Sequence, residues 1–245
     1  MTADVTIEGM IAIRAAIEGQ NRDIHMVYMQ KNKEHRALRS FLSLLHSKNI
    51  EHQYQSAEFI GQLAAGNTHG GFVALAGKRR YMPLCELFEN GKKSVFFALD
   101  GIEDPYNYGY CIRSLYASGV DGIVVSDRDW HTAEGIVIKS SAGTSELMPT
   151  AKMDDPDIAA SEFARRGLHV FCAAKSPEAA SLHDIRFPFP AIVVIGGEKR
   201  GISKIYMQYA ESLVKIPYAR DFRFSLTACS AASIFAYEVM RQANI

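Results

Sequence analysis

The sequence predicts an α/β protein in two parts, with a parallel sheet in the C-terminal part. One observation carries the sheet. From Ser94 onward, short apolar runs alternate with segments of helical periodicity, the pattern of buried parallel strands joined by helices. These runs are SVFFALD from Ser94, GIVVS from Gly122, HVFCAA from His169, AIVVI from Ala191 and LVKI from Leu213. A second observation divides the chain. Between Tyr81 and Lys93 it becomes irregular, with Pro83, Asn90 and Gly91, and a length of 245 residues accommodates two domains. Domains over 1–90 and 91–245 are expected, the first a small α/β unit.

The elements follow from local pattern. Gly9 to Glu18 has apolar residues at helical spacing, and Gly19 suits its end. Ile24 to Met29, Ile50 to Tyr54 and Phe72 to Ala76 read as strands. Leu38 to Ser47 is an amphipathic helix with Leu38, Phe41, Leu42 and Leu45 on one face, and Glu58 to Ala65 is a third helix. In the second part, Glu103 to Gly109 reads as a loop before a helix beginning near Cys111. A helix ends near Ser140, a loop covers Ser140 to Pro149, and Asp157 to Arg166 is helical. The last helix follows Ser225 and Thr227, which suit its N-cap, and its face of Ala228, Ala231, Ala232, Phe235 and Val239 is small and apolar.

Composition narrows the function. Net charge is zero, so no global field attracts nucleic acid, and RNA binding would need a local patch. The triplet Lys78, Arg79, Arg80 is one such patch, and a solvated strand end is its plain reading. The cysteines at 85, 111, 172 and 229 have neither paired spacing nor histidines at ligand spacing, so reduced thiols without metal are expected. Acidic residues at 4 and 8 do not suit a signal peptide, and no apolar run approaches the ~20 residues of a membrane span. A cytoplasmic protein without a membrane segment is expected.

The densest chemistry lies between Ala191 and Glu238. A buried strand meets a glycine turn (Gly196, Gly197, Gly201), and a second strand stops at Pro217 before a loop bearing Arg220 and Arg223. Strand ends with adjacent loops are where α/β sheets hold ligands. The turn fails both common phosphate motifs. Ile202 stands where a P-loop needs lysine, and the glycine order is not G-x-G-x-x-G.

Three motifs occur in order: Asp104-Pro-x-Asn107-x-Gly109 with Arg113 six residues beyond the asparagine, Gly196-x-Glu198-x-x-Gly201 after a strand, and Ile216-Pro217 followed by Ser225-Leu226 and a small-residue helix. In combination they resemble the SpoU (TrmH-like) branch of the SPOUT RNA methyltransferases over Val95 to Glu238. Ser140 to Pro149 resembles the serine-alanine-glycine loop of that branch. The N-terminal unit, with His69-Gly70-Gly71-Phe72-Val73, is similar to the substrate-binding domain of many members, itself similar to a ribosomal protein that binds kinked RNA.

The resemblance implies an α/β domain whose C-terminus is threaded into a trefoil knot, a path rare among folds. It implies S-adenosylmethionine as cofactor, held by Ala173, Ala174 and Lys175, by Ile195, Gly196, Gly197 and Gly201, and by Ile216, Pro217, Ser225 and Leu226, with glycines allowing close backbone approach. It implies methyl transfer to a ribose 2′-hydroxyl of RNA. Arg113 is expected to clamp phosphate and stabilise the developing alkoxide, because a guanidinium is a poor base. Asn107 would position loop or substrate, Glu198 would orient Arg113 or its partners, and Ser225 would complete the site. Thr227 stands where the family usually has asparagine, which leaves the role of that position open. Lys78, Arg79, Arg80 and Arg223 are the expected RNA contacts. A homodimer is implied, with Arg113 lent across the interface. Ribosomal and transfer RNA both remain as substrates, the N-terminal domain favouring 23S ribosomal RNA. A non-catalytic RNA-binding member and an unrelated nucleotide-binding α/β protein are the rival readings.

Overall fold

The computed structural model describes residues 5–88, 93–128, 130 and 133–243. The expected boundary between 90 and 91 lies outside the described residues. Compactness divides the chain into Met1–Arg80 with Trp130–Leu147, and Tyr81–Asp129 with Met148–Ile245. Packing, not chain order, groups residues 130–147 with the N-terminal unit.

In the first unit, β1 (Val5–Glu8) and β2 (Ile24–Gln30) both pair antiparallel with β4 (Phe72–Ala76), and β3 (His52–Gln55) pairs parallel with β2. The sheet order is β1-β4-β2-β3. Helices α1 (Met10–Gly19), α2 (Leu38–Ser47) and α3 (Ala57–Leu63) join the strands. The periodicity of α2 holds: Phe41 and Leu45 are fully buried. Strand β1 was not expected, because four residues are too few to show a period. Gly19 has a different task from the expected one. Gln20, not Gly19, takes the left-handed turn after α1 (φ 54°), while a Cβ on Gly19 would lie 2.0 Å from the Glu146 carbonyl oxygen. Glycine is needed there for close approach.

That approach belongs to a buried ion cluster. The chain from 133 folds as α6 (Glu134–Ser140) and α7 (Thr144–Leu147) within the same unit, where a loop had been expected after Ser140. Arg22 is 3% exposed and Glu146 1%. Arg22 Nε donates to Glu146 Oε2 at 2.7 Å, one terminal nitrogen donates to Glu146 Oε1 at 3.1 Å, and the other to the Gly77 carbonyl at 3.1 Å. Glu134 closes the cluster at 2.5 Å.

The second unit contains α4 (Leu84–Leu87), β5 (Val95–Asp100), α5 (Pro105–Ala117), β6 (Gly122–Val125), β7 (Thr150–Lys152), α8 (Pro156–Arg165), β8 (His169–Ala173), β9 (Ala180–Ser181), β10 (Ala191–Gly196), α9 (Lys204–Tyr209), β11 (Ser212–Lys215) and α10 (Ala228–Ala243). Every pairing is parallel, in the order β7-β6-β5-β10-β8-β11-β9. The parallel α/β sheet expected from alternating buried runs is present, with β5, β6 and β10 lined by buried residues as such strands require. Short β7 and β9 gave no apolar run to read.

One reading needs correction. Asp104 to Gly109 is not a loop but the start of α5. Asp104 is the N-cap, its Oδ1 accepting from Asn107 N at 2.8 Å, and Pro105 occupies the first helical turn. Asp-Pro reads as a turn and as a helix start, and the apolar residues of α5 decide for the helix: Tyr108, Cys111, Ile112 and Leu115 are all buried. Asn107 therefore sits on a rigid element.

Candidate active site

A cleft of about 490 Å³ opens where β8, β10 and β11 end. Its position at the carboxyl edge of parallel strands is the one α/β sheets offer for ligands. Of the expected cofactor residues, Ala173, Ala174, Lys175, Ile195, Gly196, Gly197, Gly201, Ile216, Ser225 and Leu226 line it together. Pro217 is exposed and is not among the lining residues. Tyr218, Met207, Leu213, Ala231 and Phe235 are also in the wall, as is Glu198. Of these, Ala231 and Phe235 were detectable in sequence only as one stripe of a helix, with nothing to say what that stripe faced.

The glycine turn has a physical basis other than ligand approach. A Cβ on Gly197 would lie 2.1 Å from the Gly101 carbonyl oxygen, and one on Gly196 would lie 2.4 Å from the Gly201 carbonyl carbon. Two stretches of backbone pass too closely for any side chain. Gly201 takes φ +67° and closes the turn, its N–H donating to Gly197 O at 3.0 Å. The turn is anchored from β5: Gly197 N donates to the Asp100 carbonyl at 2.8 Å, and Ser203 N to the Asp100 carboxylate at 2.6 Å. Burial raises the pKa of Asp100 and the Ser203 N–H opposes that rise.

The motif residues meet at the mouth of the cleft. Glu198 Oε1 accepts from Asn107 Nδ2 at 2.8 Å and from Ala228 N at 3.2 Å, so one carboxylate ties the start of α5 to the start of α10. Its charge there also complements the N-terminal dipole of α10. The Cys229 thiol donates to Asn107 Oδ1 at 3.7 Å, fixing both ends of that amide. Thr227 caps α10, its hydroxyl accepting from Ser230 N at 3.3 Å and lying 3.2 Å from Cys229 Sγ. Burial raises the thiol pKa of neighbouring Cys111, and the charges of Cys229 and Glu198 add to the shift.

Arg113 stands apart. It is exposed on α5 and does not line the cleft, and Glu198, expected to orient Arg113 or its partners, accepts from Asn107 and Ala228. Arg113 shares one helical face with Tyr106 and Tyr110, which are 52% and 45% exposed. The small face of α10 is spent inside the protomer: Ala228, Ala232, Phe235 and Val239 are buried, and α10 packs on α5 and β10. Ala231 lines the cleft. What α10 presents outward is Ile234, Tyr237 and Arg241.

The loop after Pro217 is tied down by Lys175. Its ammonium donates to the carbonyls of Phe222 and Phe224 and lies over the Tyr218 ring at 5.1 Å. Tyr218 Oη accepts from Leu226 N at 3.1 Å. Arg223 is exposed in this loop. In the N-terminal unit, Lys78 is exposed and Arg79 half-buried, while Arg80 pairs with Asp23 at 3.0 Å and donates to the Gln20 carbonyl. Both partners of the Asp23 pair are exposed, so its contribution to stability is small. All four cysteines are free. Among the described residues no helix is long and apolar enough to cross a membrane.

Residues 94–237 match the SpoU rRNA methylase family, and residues 6–82 match the RNA 2′-O ribose methyltransferase substrate-binding family. The chain is similar to YacO of Bacillus subtilis, assigned to the TrmH family of tRNA/rRNA methyltransferases, at 29% identity over 91% of this chain and 90% of that one. It is also similar to the 23S rRNA (guanosine-2′-O-)-methyltransferase RlmB of Yersinia pestis, at 26% identity over 98% of both. Among solved structures, the SpoU methyltransferase AviRb of Streptomyces viridochromogenes, in complex with AdoMet, shares the fold with a TM-score of 0.80 at 20% identity, over 98% of this chain and 90% of that one. With both parts of its length matched, the chain belongs to the SpoU rRNA methylase family, the RNA 2′-O-ribose methyltransferases, and carries their substrate-binding unit at its N-terminus.

Proposed function

We propose that the protein methylates a ribose 2′-hydroxyl of large-subunit ribosomal RNA in the cytoplasm, with S-adenosylmethionine as methyl donor. The observation that carries the reading is the cleft, where three strand ends gather ten of the expected cofactor residues beside Asn107 and Glu198. The residues fit the donor. About 490 Å³ is within the range of small-molecule sites, the walls are largely apolar, and the Glu198 carboxylate at the rim suits a cationic ligand. The donor supplies an already activated sulfonium methyl. The protein must hold the ribose oxygen in line and ease loss of its proton. Glu198 and Asn107 hold the mouth of the cleft in one geometry, and Arg113 clamps phosphate and stabilises the developing alkoxide. Thr227 acts as the cap of α10, which a hydroxyl performs as well as an amide. The path through 196–226 is taken as the family's trefoil knot, supported by the close passage of Gly197 over Gly101.

Ribosomal RNA is preferred because relatives named for 23S ribosomal RNA align over nearly the whole chain, N-terminal unit included. Transfer RNA is the second reading, supported by the double naming of YacO. Labelled donor and RNA from a strain lacking the gene are incubated with the protein and hydrolysed with alkali. A 2′-O-methyl blocks cleavage of the next phosphodiester, so label is expected in dinucleotides from the large-subunit fraction. Label in mononucleotides means base methylation and overturns the reading, and label in the transfer RNA fraction selects the second.

The N-terminal unit is proposed to hold RNA through Lys78, Arg79 and Arg80, with Arg223 contacting it from the second unit. Because residues 130–147 pack in the first unit, deleting that unit would strand Glu146, and substitution is the sounder test. Lys78→Ala is expected to weaken binding several-fold and lower the slope of log affinity against log salt by about one. An unchanged slope removes Lys78 from the interface.

The working unit is proposed to be a homodimer covering the face of Tyr106, Tyr110, Ile234 and Tyr237. These large exposed side chains on packed helices form the kind of patch that marks an interface, and Arg113 lies on the same face of α5.

A further inference from the structure

Phe222 and Phe224 are large apolar side chains left in water, 46% and 73% exposed, on the loop that borders the cleft. Exposed apolar groups of this size beside a site call for an occupant. The loop is not loose. Lys175 binds the carbonyls of Phe222 and Phe224 together, and Tyr218 Oη holds Leu226 N. The rings of Tyr218, Phe222 and Phe224 form a chain with centroids 5.9 and 5.8 Å apart at interplanar angles of 57° and 61°. The Lys175 ammonium also lies over the Phe222 ring at 5.8 Å, so Phe224, 73% exposed, offers the more open surface. Arg220 and Arg223 are exposed in the same segment and outnumber its one acid, Asp221. Tyr218, Ser225 and Leu226 at the two ends of the loop line the cleft.

We propose that Phe222 and Phe224 form a stacking platform for an unstacked base of the RNA substrate, next to the methyl-donor cleft, with Arg220 and Arg223 binding the flanking phosphates. A nucleobase is the occupant the chemistry selects. It has a polarisable face for an aromatic ring and brings anionic phosphates to the arginines, which an apolar peptide does not. RNA is read chiefly where bases are splayed out and stacked on aromatic side chains. A target nucleotide splayed out of its helix can bring its ribose to the cleft, and a ring beside the cleft stabilises it there.

The inference rests on the ribose methyltransferase reading, and the test separates the two. Full-length protein saturated with S-adenosylhomocysteine is titrated with large-subunit RNA from a strain lacking the gene. Wild type is compared with Phe222→Ala and with Phe224→Ala, Phe224→Leu and Phe224→Trp, while alkali-resistant labelling is followed for each. Each alanine variant is expected to bind RNA about ten- to a hundredfold more weakly, with unchanged S-adenosylhomocysteine affinity and unchanged mass by light scattering. Phe224→Trp should recover wild-type affinity and Phe224→Leu should not, because leucine is apolar but has no face to stack. Wild-type affinity in both alanine variants, or in Phe224→Leu, overturns the platform while leaving the methyltransferase reading intact. A fall in mass on either alanine substitution overturns it in favour of a second copy of the chain as occupant. Absence of alkali-resistant label with wild type overturns the large-subunit RNA reading itself.

Discussion

Arg113→Ala is expected to reduce methyl transfer by about 10²–10³-fold, the usual cost of removing one group that stabilises charge in a transition state. Cofactor affinity should barely change, because Arg113 does not line the cleft. The position of Arg113, on an exposed face with Tyr106 and Tyr110 and away from the Glu198 network, is the reason to expect that it serves the cleft of a partner subunit. Complementation tests this. The second variant must lose its cleft without losing its fold. Gly197 is unsuitable, because any Cβ there strikes the Gly101 carbonyl. Ala231→Trp is preferable, since Ala231 is half-buried on α10 and a larger side chain fills the cleft. Each homodimer should be inactive for its own reason. The purified heterodimer holds one intact cleft opposite one intact arginine and should recover up to half of wild-type activity. A heterodimer that assembles and stays inactive places Arg113 with its own chain's cleft.

Arg22→Ala should lower stability by about 3–5 kcal/mol, because it leaves Glu146 buried without its cation. For a chain of this size that corresponds to a fall in melting temperature of roughly ten degrees, read by calorimetry or circular dichroism. The ion cluster itself need not be strongly stabilising. Taking two charges out of water nearly cancels their attraction, so Arg22→Met combined with Glu146→Leu should recover most of the loss. A single variant as stable as wild type would mean that water reaches Glu146 once the guanidinium is gone. The cluster ties Glu134 and Glu146 to Arg22, which also holds the Gly77 carbonyl at the end of β4.

Much of this protein was readable from its residues. The parallel sheet followed from buried runs such as AIVVI and VFFAL, because a strand covered on both faces must be apolar throughout. Helix α2 came out residue for residue, because Phe41 and Leu45 repeat at four and face one core. The family followed from three motifs in order, and the cleft gathers Gly196, Glu198, Gly201, Ile216, Ser225 and Leu226 of the second and third. Asn107 and Glu198, ninety-one positions apart, are bonded at 2.8 Å. Local pattern could not produce that bond, and only the motif order implied that the two belong together.

The tertiary structure decided what depends on contacts between distant segments. Residues 130–147 pack in the N-terminal unit, which no composition shift announces, because Arg22 and Glu146 become partners only once both are buried. Asp104 to Gly109 is a helix start and not a turn, because the apolar side of α5 has a core to enter. Gly196 is fixed by the backbone of Gly201 within its own turn and Gly197 by that of Gly101, and the second constraint exists only once those two segments have met. The alanines of α10 could have faced a partner or their own protomer, and Ala228 and Ala232 are buried where α10 packs on α5 and β10 while Ala231 lines the cleft. A sequence records which side chains can be buried and which turns can be made. Which distant surfaces meet is settled by the net free energy of the whole packed chain, and at each of these positions that global term outweighed the local one.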